Sequence, residues 1–345
     1  MHKVRQQTLK DIYRNNLFNK GDRAVVAVSS GADSICLLHV LAFLKDVIGF
    51  SLIAAYVDHG LRPLETGNEK LLVQSIADSL GVDFESVEVD VNGFAKEKKL
   101  SIEHAARELR YKALRKIAAD HGASIIAVAH NADDQAEEIL IRLLRGSGRK
   151  GISGMRPRHR DIVRPLLEIE KKDIVAYLRD LNIDFLEDSS NTDPRFLRNR
   201  VRHELIPFLE EKFDAGIKQA LRKTAESLAE DEDLLEELTE IAWELVNKTI
   251  SQDEQSSTRR ILIGRKGFVT QPGALQRRIV ERLLWKIGSK AGYNHIMQVV
   301  EAAKNGRTGM ELHLSKGLRV GVQRDYVEFL YPKGQGAWRG RLYPK

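Results

Sequence analysis

The chain has a single cysteine, Cys36, among its 345 residues. This count excludes an intramolecular disulfide and any metal or redox site built from two cysteines, and the apolar neighbours Ile35 and Leu37 indicate a small core side chain. No apolar run approaches the length that crosses a membrane, and the charged N-terminus lacks the apolar segment of a signal peptide. We therefore expect a cytoplasmic protein.

Several phosphate and metal motifs are also missing. The dipeptide Gly-Lys does not occur, which excludes a Walker loop. The fragment GSGRKG at 146–151 follows a helical pattern instead of a strand, which argues against a dinucleotide-binding loop. The fragment HELIP at 203–207 has Pro207 where a zinc-protease motif requires its second histidine.

Basic residues are concentrated toward the C-terminus. The net charge is +6, yet residues 251–345 hold 18 Lys and Arg against 7 Asp and Glu, a net of +11. The remainder has 37 basic and 42 acidic residues, a net of −5. A basic excess of this size favours a nucleic-acid partner, with ordinary solvated surface as the alternative.

Alternating strand and helix patterns predict an α/β fold with a doubly wound parallel sheet. The strand-like runs are 24–29, 51–57, 82–90, 124–129 and 162–169. We expect a catalytic domain at 1–212, a helical connector with a polar linker at 213–258, and a smaller basic α+β domain at 259–345. The length of the chain suits two or more domains.

The loop between the first strand and its helix reads Ser29-Ser30-Gly31-Ala32-Asp33-Ser34. Small residues before a helix start let backbone N–H groups approach an anion, so the loop predicts a phosphate site. A tight βα connection is the alternative, because such loops are short and polar in any case. The segments DHGLR (58–62) and HNADDQAEE (130–138) end neighbouring strands, where ligands of parallel sheets collect.

The loop resembles the Ser-Gly-Gly-x-Asp-Ser signature of the PP-loop ATP pyrophosphatases, with Ser30 in place of the first glycine. Five segments in order resemble the tRNA(Ile)-lysidine synthetase family. They are YVDHGLRP (56–63), EHAARELRY (103–111), HNADDQAEE (130–138), LLRGSGRKGISGM (143–155) and EDSSNTDPRFLRNRVRHELIP (187–207). Glu138 stands where many members have threonine, and longer members carry a further C-terminal domain that we expect to be absent or reduced here.

The resemblance implies a specific reaction. Such an enzyme uses ATP and Mg²⁺ to adenylate the C2 oxygen of the wobble cytidine in a CAU-anticodon tRNA(Ile). The ε-amine of free lysine then displaces AMP. Residues 29–34 would bind ATP, with Asp33 and Ser34 catalytic and Asp33 also a candidate Mg²⁺ ligand.

The remaining candidate residues follow from spacing and from the same resemblance. Asp134 and Glu137 lie on one helix face and would hold the lysine ammonium or the metal, although a solvated helix N-terminus is the alternative. Arg110, a candidate catalytic and lysine-binding residue, would with Arg107 bind the lysine carboxylate, the AMP phosphate or the cytosine oxygen, although a surface helix is the alternative. His130 is the candidate base for the amine proton. The predicted tRNA-binding residues are Arg142, Arg145, Arg149, Lys150, Arg195, Arg198, Arg200 and Arg202, with ordinary surface charge as the alternative for any single one.

Three other functions compete with this interpretation. A sulfur-inserting PP-loop enzyme would need more cysteines than Cys36. A small-molecule PP-loop synthetase would not need the basic C-terminal segment. A tRNA-binding protein with an inactive PP-loop is the third possibility, because Ser30 departs from the signature. A homodimer is compatible with the sequence.

Overall fold

The computed structural model describes residues 2–61, 63–186, 196–251, 258–289, 292–314 and 317–332. The chain divides into two compact units, Met1–Ala229 and Glu230–Lys345. In these described parts, no helix is long and apolar enough to cross a membrane.

A six-stranded sheet forms the centre of the N-terminal unit. Its strands are β1 (Arg23–Ala27), β2 (Ser51–Asp58), β3 (Asp83–Glu88), β4 (Ile125–Ala127), β5 (Arg158–His159) and β6 (Ile162–Val163). The order is β3-β2-β1-β4-β6-β5, parallel except for the β5–β6 pair. The predicted doubly wound α/β fold is confirmed, and the strand order changes direction beside β1, where ligands of such sheets bind.

Helices cover both faces of this sheet. They are α1 (Lys3–Arg14), α2 (Ala32–Ile48), α3 (Pro63–Ser79), α4 (Val91–Lys98), α5 (Ile102–Asp120), α6 (Ala132–Leu144), α7 (Arg149–Ile152), α8 (Lys171–Asp180), α9 (Leu197–Arg200) and α10 (Ile206–Lys212). One core lies under α1, α2 and α8, and a second lies under α5. A π-helical turn, Val201–Leu205, joins α9 to α10.

Two local expectations differ from the structure. The run 162–169 is a strand only over Ile162–Val163. Pro165 follows and cannot donate a ladder hydrogen bond, so Leu166 and Leu167 bury their side chains in a turn instead. The short helices α4 and α7 were not predicted, because neither has enough turns to show a clear apolar period.

The C-terminal unit contains an antiparallel sheet with helices on it. The elements are the C-terminal part of α11 (Ile217–Val246), β7 (Asn247–Ser251), β8 (Thr258–Gly264), α12 (Arg265–Val269), α13 (Gly273–Lys286), α14 (Tyr293–Asn305), β9 (Met310–His313), β10 (Arg319–Val322) and β11 (Tyr326–Pro332). The strand order is β7-β8-β11-β10-β9. Ile279, Leu283 and Phe329 are fully buried in its core.

The unit boundary changes the charge distribution inferred from the sequence. Residues 230–345 hold 19 basic and 15 acidic residues, a net of +4, because the acidic end of α11 belongs to this unit. Arg278 bonds Glu232 on α11 at 2.6 Å, and Arg282 bonds Glu236 at 2.7 Å. Part of the predicted linker is strand β7, while residues 252–257 lie outside the described residues.

Candidate active site

The hydroxyl group of Ser34 hydrogen-bonds to backbone atoms of the loop between β1 and α2 and so fixes its conformation. Ser34 Oγ accepts the Ser29 N–H at 3.0 Å and lies 2.6 Å from the Ser29 carbonyl and 2.9 Å from the Gly31 carbonyl, to which it donates. Gly31 is the N-cap of α2 and offers no side-chain acceptor to the first turn. The N–H groups at this helix start are therefore suited to an external anion.

Ser30 fits the position that is glycine in the signature. Its side chain is buried, its carbonyl accepts the Leu186 N–H at 2.8 Å, and its backbone avoids the left-handed region that would require glycine. The substitution therefore leaves the loop unstrained at this residue.

Asp33 connects the loop to two other segments. Its carboxylate accepts from the Asn131 side-chain amide at 2.9 Å and from Lys171 Nζ at 2.7 Å. Asn131 precedes α6 and Lys171 begins α8, so the segments that follow three neighbouring strands, β1, β4 and β6, meet at this carboxylate. Sequence analysis named neither partner. Asn131 had a detectable signal, since an Asn followed three residues later by Asp134 is a capping pattern.

The N-terminus of α6 carries the predicted carboxylate pair. Asn131 Oδ1 accepts the Asp134 N–H at 3.0 Å, and Asp134 Oδ2 accepts the Asn131 N–H at 3.0 Å, which completes a capping box. Glu137 lies one turn further along and is only 2% exposed. Asp133, on another side of the helix, accepts the Lys171 N–H at 2.8 Å.

Two arginines already bind these carboxylates. Arg198 Nε donates to Glu137 at 2.9 Å, and Arg202 donates to Glu137 at 2.5 Å and to Asp134 at 3.0 Å. Burial opposes the charged guanidinium, yet the adjacent carboxylates raise the pKa of Arg198 and of Arg202. Both arginines were predicted to bind tRNA, but their guanidinium groups face carboxylates in this arrangement.

The other predicted RNA-binding residues have different surroundings. Arg149 and Lys150 are exposed on α7, and Arg200 is exposed at the end of α9. Arg195 lies outside the described residues. Arg142 instead holds the α7 loop, because it donates to the carbonyls of Gly151 and Gly154 at 2.8 and 3.0 Å.

His130 ends the stretch that follows β4 and is bound to an arginine. Arg164 Nε donates to His130 Nδ1 at 3.2 Å. Burial, and then the positive charges of Arg164 and Arg110, hold the pKa of His130 well below its usual value. A histidine with so low a pKa is a weak base at neutral pH, which opposes the role predicted for it.

Arg110 keeps an unused donor in the same region. Its Nε is buried and has no hydrogen-bond partner, and burial lowers the pKa of the guanidinium. Arg107 and Arg110 both lie near the Tyr111 ring, at 5.2 and 5.3 Å from its centroid. A buried donor without a partner is costly, so this side chain is suited to a substrate oxygen.

In the described part of the chain, no group of three His, Cys, Asp or Glu side chains could by itself hold a metal ion. Asp33 is the one carboxylate within the 29–34 loop, and 31% of its side chain is exposed. Because Mg²⁺ commonly binds through one or two carboxylates together with substrate phosphates, a single Asp33 fits this ion. Cys36 is buried on α2, as expected for a core side chain.

Comparisons with known proteins agree with this geometry. Residues 1–209 match the PP-loop domain family. The tRNA(Ile)-lysidine synthase of Clostridium acetobutylicum is 35% identical over 317 residues, or 90% of this chain and 67% of that protein. The synthase of Geobacillus kaustophilus is 33% identical and covers 94% of this chain and 70% of its own length. The chain thus spans about two-thirds of the length of these relatives.

A solved structure shares the fold. The U34-tRNA thiolase NcsA from Methanococcus maripaludis superimposes with a TM-score of 0.54 at 19% identity, covering 66% of this chain and 79% of that chain. This likeness concerns the fold alone. The match to the family and the similarity to the two synthases, in contrast, are similarities of sequence over most of the chain. The chain belongs to the tRNA(Ile)-lysidine synthase family and is an ATP-dependent ligase of tRNA modification, built on a PP-loop domain.

Proposed function

We propose that the chain adenylates the C2 oxygen of the wobble cytidine in tRNA(Ile) with a CAU anticodon and replaces AMP with the ε-amine of free lysine. The observation that carries this proposal is the Asp33–Asn131–Asp134 connection, which joins a phosphate loop to a buried carboxylate pair. An ATP site and an ammonium site side by side suit adenylation followed by amine attack.

Phosphate binding falls to the loop. The N–H groups at the start of α2, together with Ser29, would stabilise the charge that develops on departing pyrophosphate. Ser34 would act by holding the loop closed, since its hydroxyl is engaged with loop atoms. Mg²⁺, when bound at Asp33, would neutralise phosphate charge.

Lysine binding falls to the carboxylates and the arginines. Asp134 and Glu137 would hold the ammonium group, which must join or displace Arg198 and Arg202. Arg110 would supply its free Nε to an anionic oxygen, such as the lysine carboxylate or the phosphate of AMP. The carboxylates favour the charged amine, so a proton acceptor other than this pair is needed during attack.

The C-terminal domain, predicted at 259–345, would grip the tRNA. Its exposed arginines on α13 and in the loops beside β9 and β11 support this role, although the whole compact unit carries only +4. A tRNA-modifying ligase of this kind would work in the cytoplasm. A homodimer stays a prediction that sedimentation of the full chain would check.

Mass spectrometry of the wobble nucleoside tests the proposal. The chain is incubated with tRNA(Ile), ATP and lysine, and an Asp33→Asn variant provides the matched control because it keeps the shape of the side chain. We expect lysidine, AMP and pyrophosphate from the natural chain and none from the variant. ADP and phosphate as products would overturn the PP-loop chemistry, and tRNA binding without any nucleotide turnover would favour an inactive PP-loop.

A further inference from the structure

Arg164 is a buried cation whose hydrogen bonds go to neutral acceptors. It follows β6 directly and is 8% exposed. Its Nε donates to His130 Nδ1 at 3.2 Å, and its Nη1 donates to the Arg156 carbonyl at 2.8 Å. Because a guanidinium has donors and no acceptor, the Nδ1 atom of His130 must present its lone pair to Arg164.

Burial and the surrounding charges keep His130 neutral. Burial is the main cause that lowers its pKa, followed by the positive charges of Arg164, which bonds it, of Arg110 and Arg107 on α5, and of Arg198 on α9. His130 is therefore neutral, and with Nδ1 unprotonated its single ring proton lies on Nε2.

We propose that Arg164 is a positioning residue that locks His130 in the Nε2–H tautomer, so that this imidazole donates a hydrogen bond to an anionic oxygen of the substrate. This inference rests on the proposed function. It assigns His130 a role opposite to that of a base, because the ring nitrogen left for substrate carries a proton.

Two substrate oxygens have the required chemistry. One is a phosphoryl oxygen of the adenylate, and the other is the carboxylate of lysine. The charge of Arg110 also lowers the pKa of His130, and its unpartnered Nε is a second donor that suits such an oxygen. His130 forms no covalent bond in either case, and the amine proton leaves by another acceptor.

The tautomer is measured directly in the full chain. Histidine labelled with ¹⁵N gives separate signals for protonated and unprotonated ring nitrogens, and His130 is assigned by its loss in His130→Gln. We expect Nδ1 of His130 to be unprotonated and Nε2 protonated from pH 6 to pH 8. An Nδ1–H tautomer, or titration of the ring within this range, would overturn the proposal. The measurement requires no turnover, so it stands apart from the proposed function.

Variants separate a donor from a base. Gln places an amide N–H near the position of Nε2, whereas Asn keeps the acceptor for Arg164 but lacks the distant donor. We expect His130→Asn to lower the rate about 100-fold, as for removal of one oxyanion donor, and His130→Gln to retain at least ten times more activity than Asn. Equal loss in both variants, together with a rate that rises with pH only in the natural chain, would identify a base and overturn the proposal.

Assays with different substrates identify which oxygen His130 contacts. Pyrophosphate exchange with tRNA in the absence of lysine reports adenylation alone, and cadaverine is lysine without its carboxylate. A defect of His130→Asn in exchange indicates the phosphoryl oxygen, while a defect confined to the KM of lysine and absent with cadaverine indicates the carboxylate.

Arg164→Lys tests the positioning role, because it keeps the charge but loses the fixed geometry. We expect a mixture of His130 tautomers in this variant, and an unchanged single tautomer would remove Arg164 from the proposal.

Discussion

The side-chain amide of Asn131 donates to the Asp33 carboxylate at 2.9 Å while its oxygen caps helix α6. One side chain thus serves two elements, since the amide nitrogen fixes the phosphate loop and the amide oxygen fixes the carboxylate pair. The direction of the amide is determined by these partners, because Asp33 can only accept and the Asp134 N–H can only donate.

This double role predicts separable effects at Asn131. Asn131→Ser keeps a good N-cap but loses the reach to Asp33, so we expect a folding stability close to that of the natural chain and a strongly reduced rate of AMP formation. Asn131→Ala loses both functions and should lower the free energy of unfolding by about 1 kcal/mol. Urea unfolding and AMP release measure the two effects. Full activity of the serine variant would show that the bond to Asp33 has no part in adenylation.

Glu137 should matter for both stability and lysine use. Glu137→Gln removes one of the two carboxylates that Arg198 and Arg202 share. Because Asp134 remains as a partner, we expect a loss of about 2 kcal/mol in unfolding free energy, below the roughly 3 to 5 kcal/mol for breaking a buried ion pair, together with a raised KM for lysine. Glu237→Gln on α11 is the control, because it is the same substitution at an exposed side chain. Normal kinetics in both Glu137→Gln and Asp134→Asn would exclude the pair from the lysine site.

Asp11 on α1 should make stability depend on pH. Burial, and then the charge of Glu168, raise its pKa to about 6 from 3.8, while Gln7, Arg14 and Lys10 lower it. The unfolded chain releases this proton first, so stability falls as pH rises from about 4 to 6 and the penalty persists above 6. Asp11→Asn should therefore gain about 3 kcal/mol at pH 7.5 and almost nothing near pH 4.

Urea titrations at several pH values check this prediction. The exposed carboxylate Asp46 on α2 provides the control, because Asp46→Asn should change stability little at any pH. A gain for Asp11→Asn that is equal at pH 4.5 and 7.5 would contradict a raised pKa.

The affinity for tRNA should depend on exposed arginines of the C-terminal unit. Arg277, Arg307 and Arg324 are exposed there, so changing all three to Gln should weaken tRNA binding. The slope of log affinity against log salt should fall by roughly 0.7 to 0.9 for each phosphate that the protein no longer neutralises. Lys116→Gln on α5 is the control. Unchanged affinity and slope in the triple variant would mean that these charges are only solvated surface.

The sheet and the phosphate loop could be predicted from the sequence because their signals are local. Buried strands are short apolar runs, and a small polar loop before a helix is contiguous in the chain. The partners of the site residues could not be predicted in this way. Lys171 reaches Asp33 from 138 residues away, and Arg164 reaches His130 from 34.

The charge of the C-terminal unit could not be predicted from the sequence for the same reason. A boundary at residue 251 separates Arg278 from its partner Glu232, although the two lie in one compact unit and form an ion pair. Arg198 and Arg202 likewise resembled free phosphate ligands in the sequence. Only the fold shows that buried carboxylates lie beside them, because a long-range ion pair leaves no periodic pattern in the chain.

The separation of Glu137 from its two arginines also has a consequence during synthesis. Glu137 precedes Arg198 by 61 residues and Arg202 by 65, and chains emerge from the ribosome N-terminus first. Strands β1 to β6 are therefore synthesised before either arginine partner of this carboxylate. A nascent chain ending near residue 186 would contain all six strands, while Asp134 and Glu137 would still lack both arginine partners.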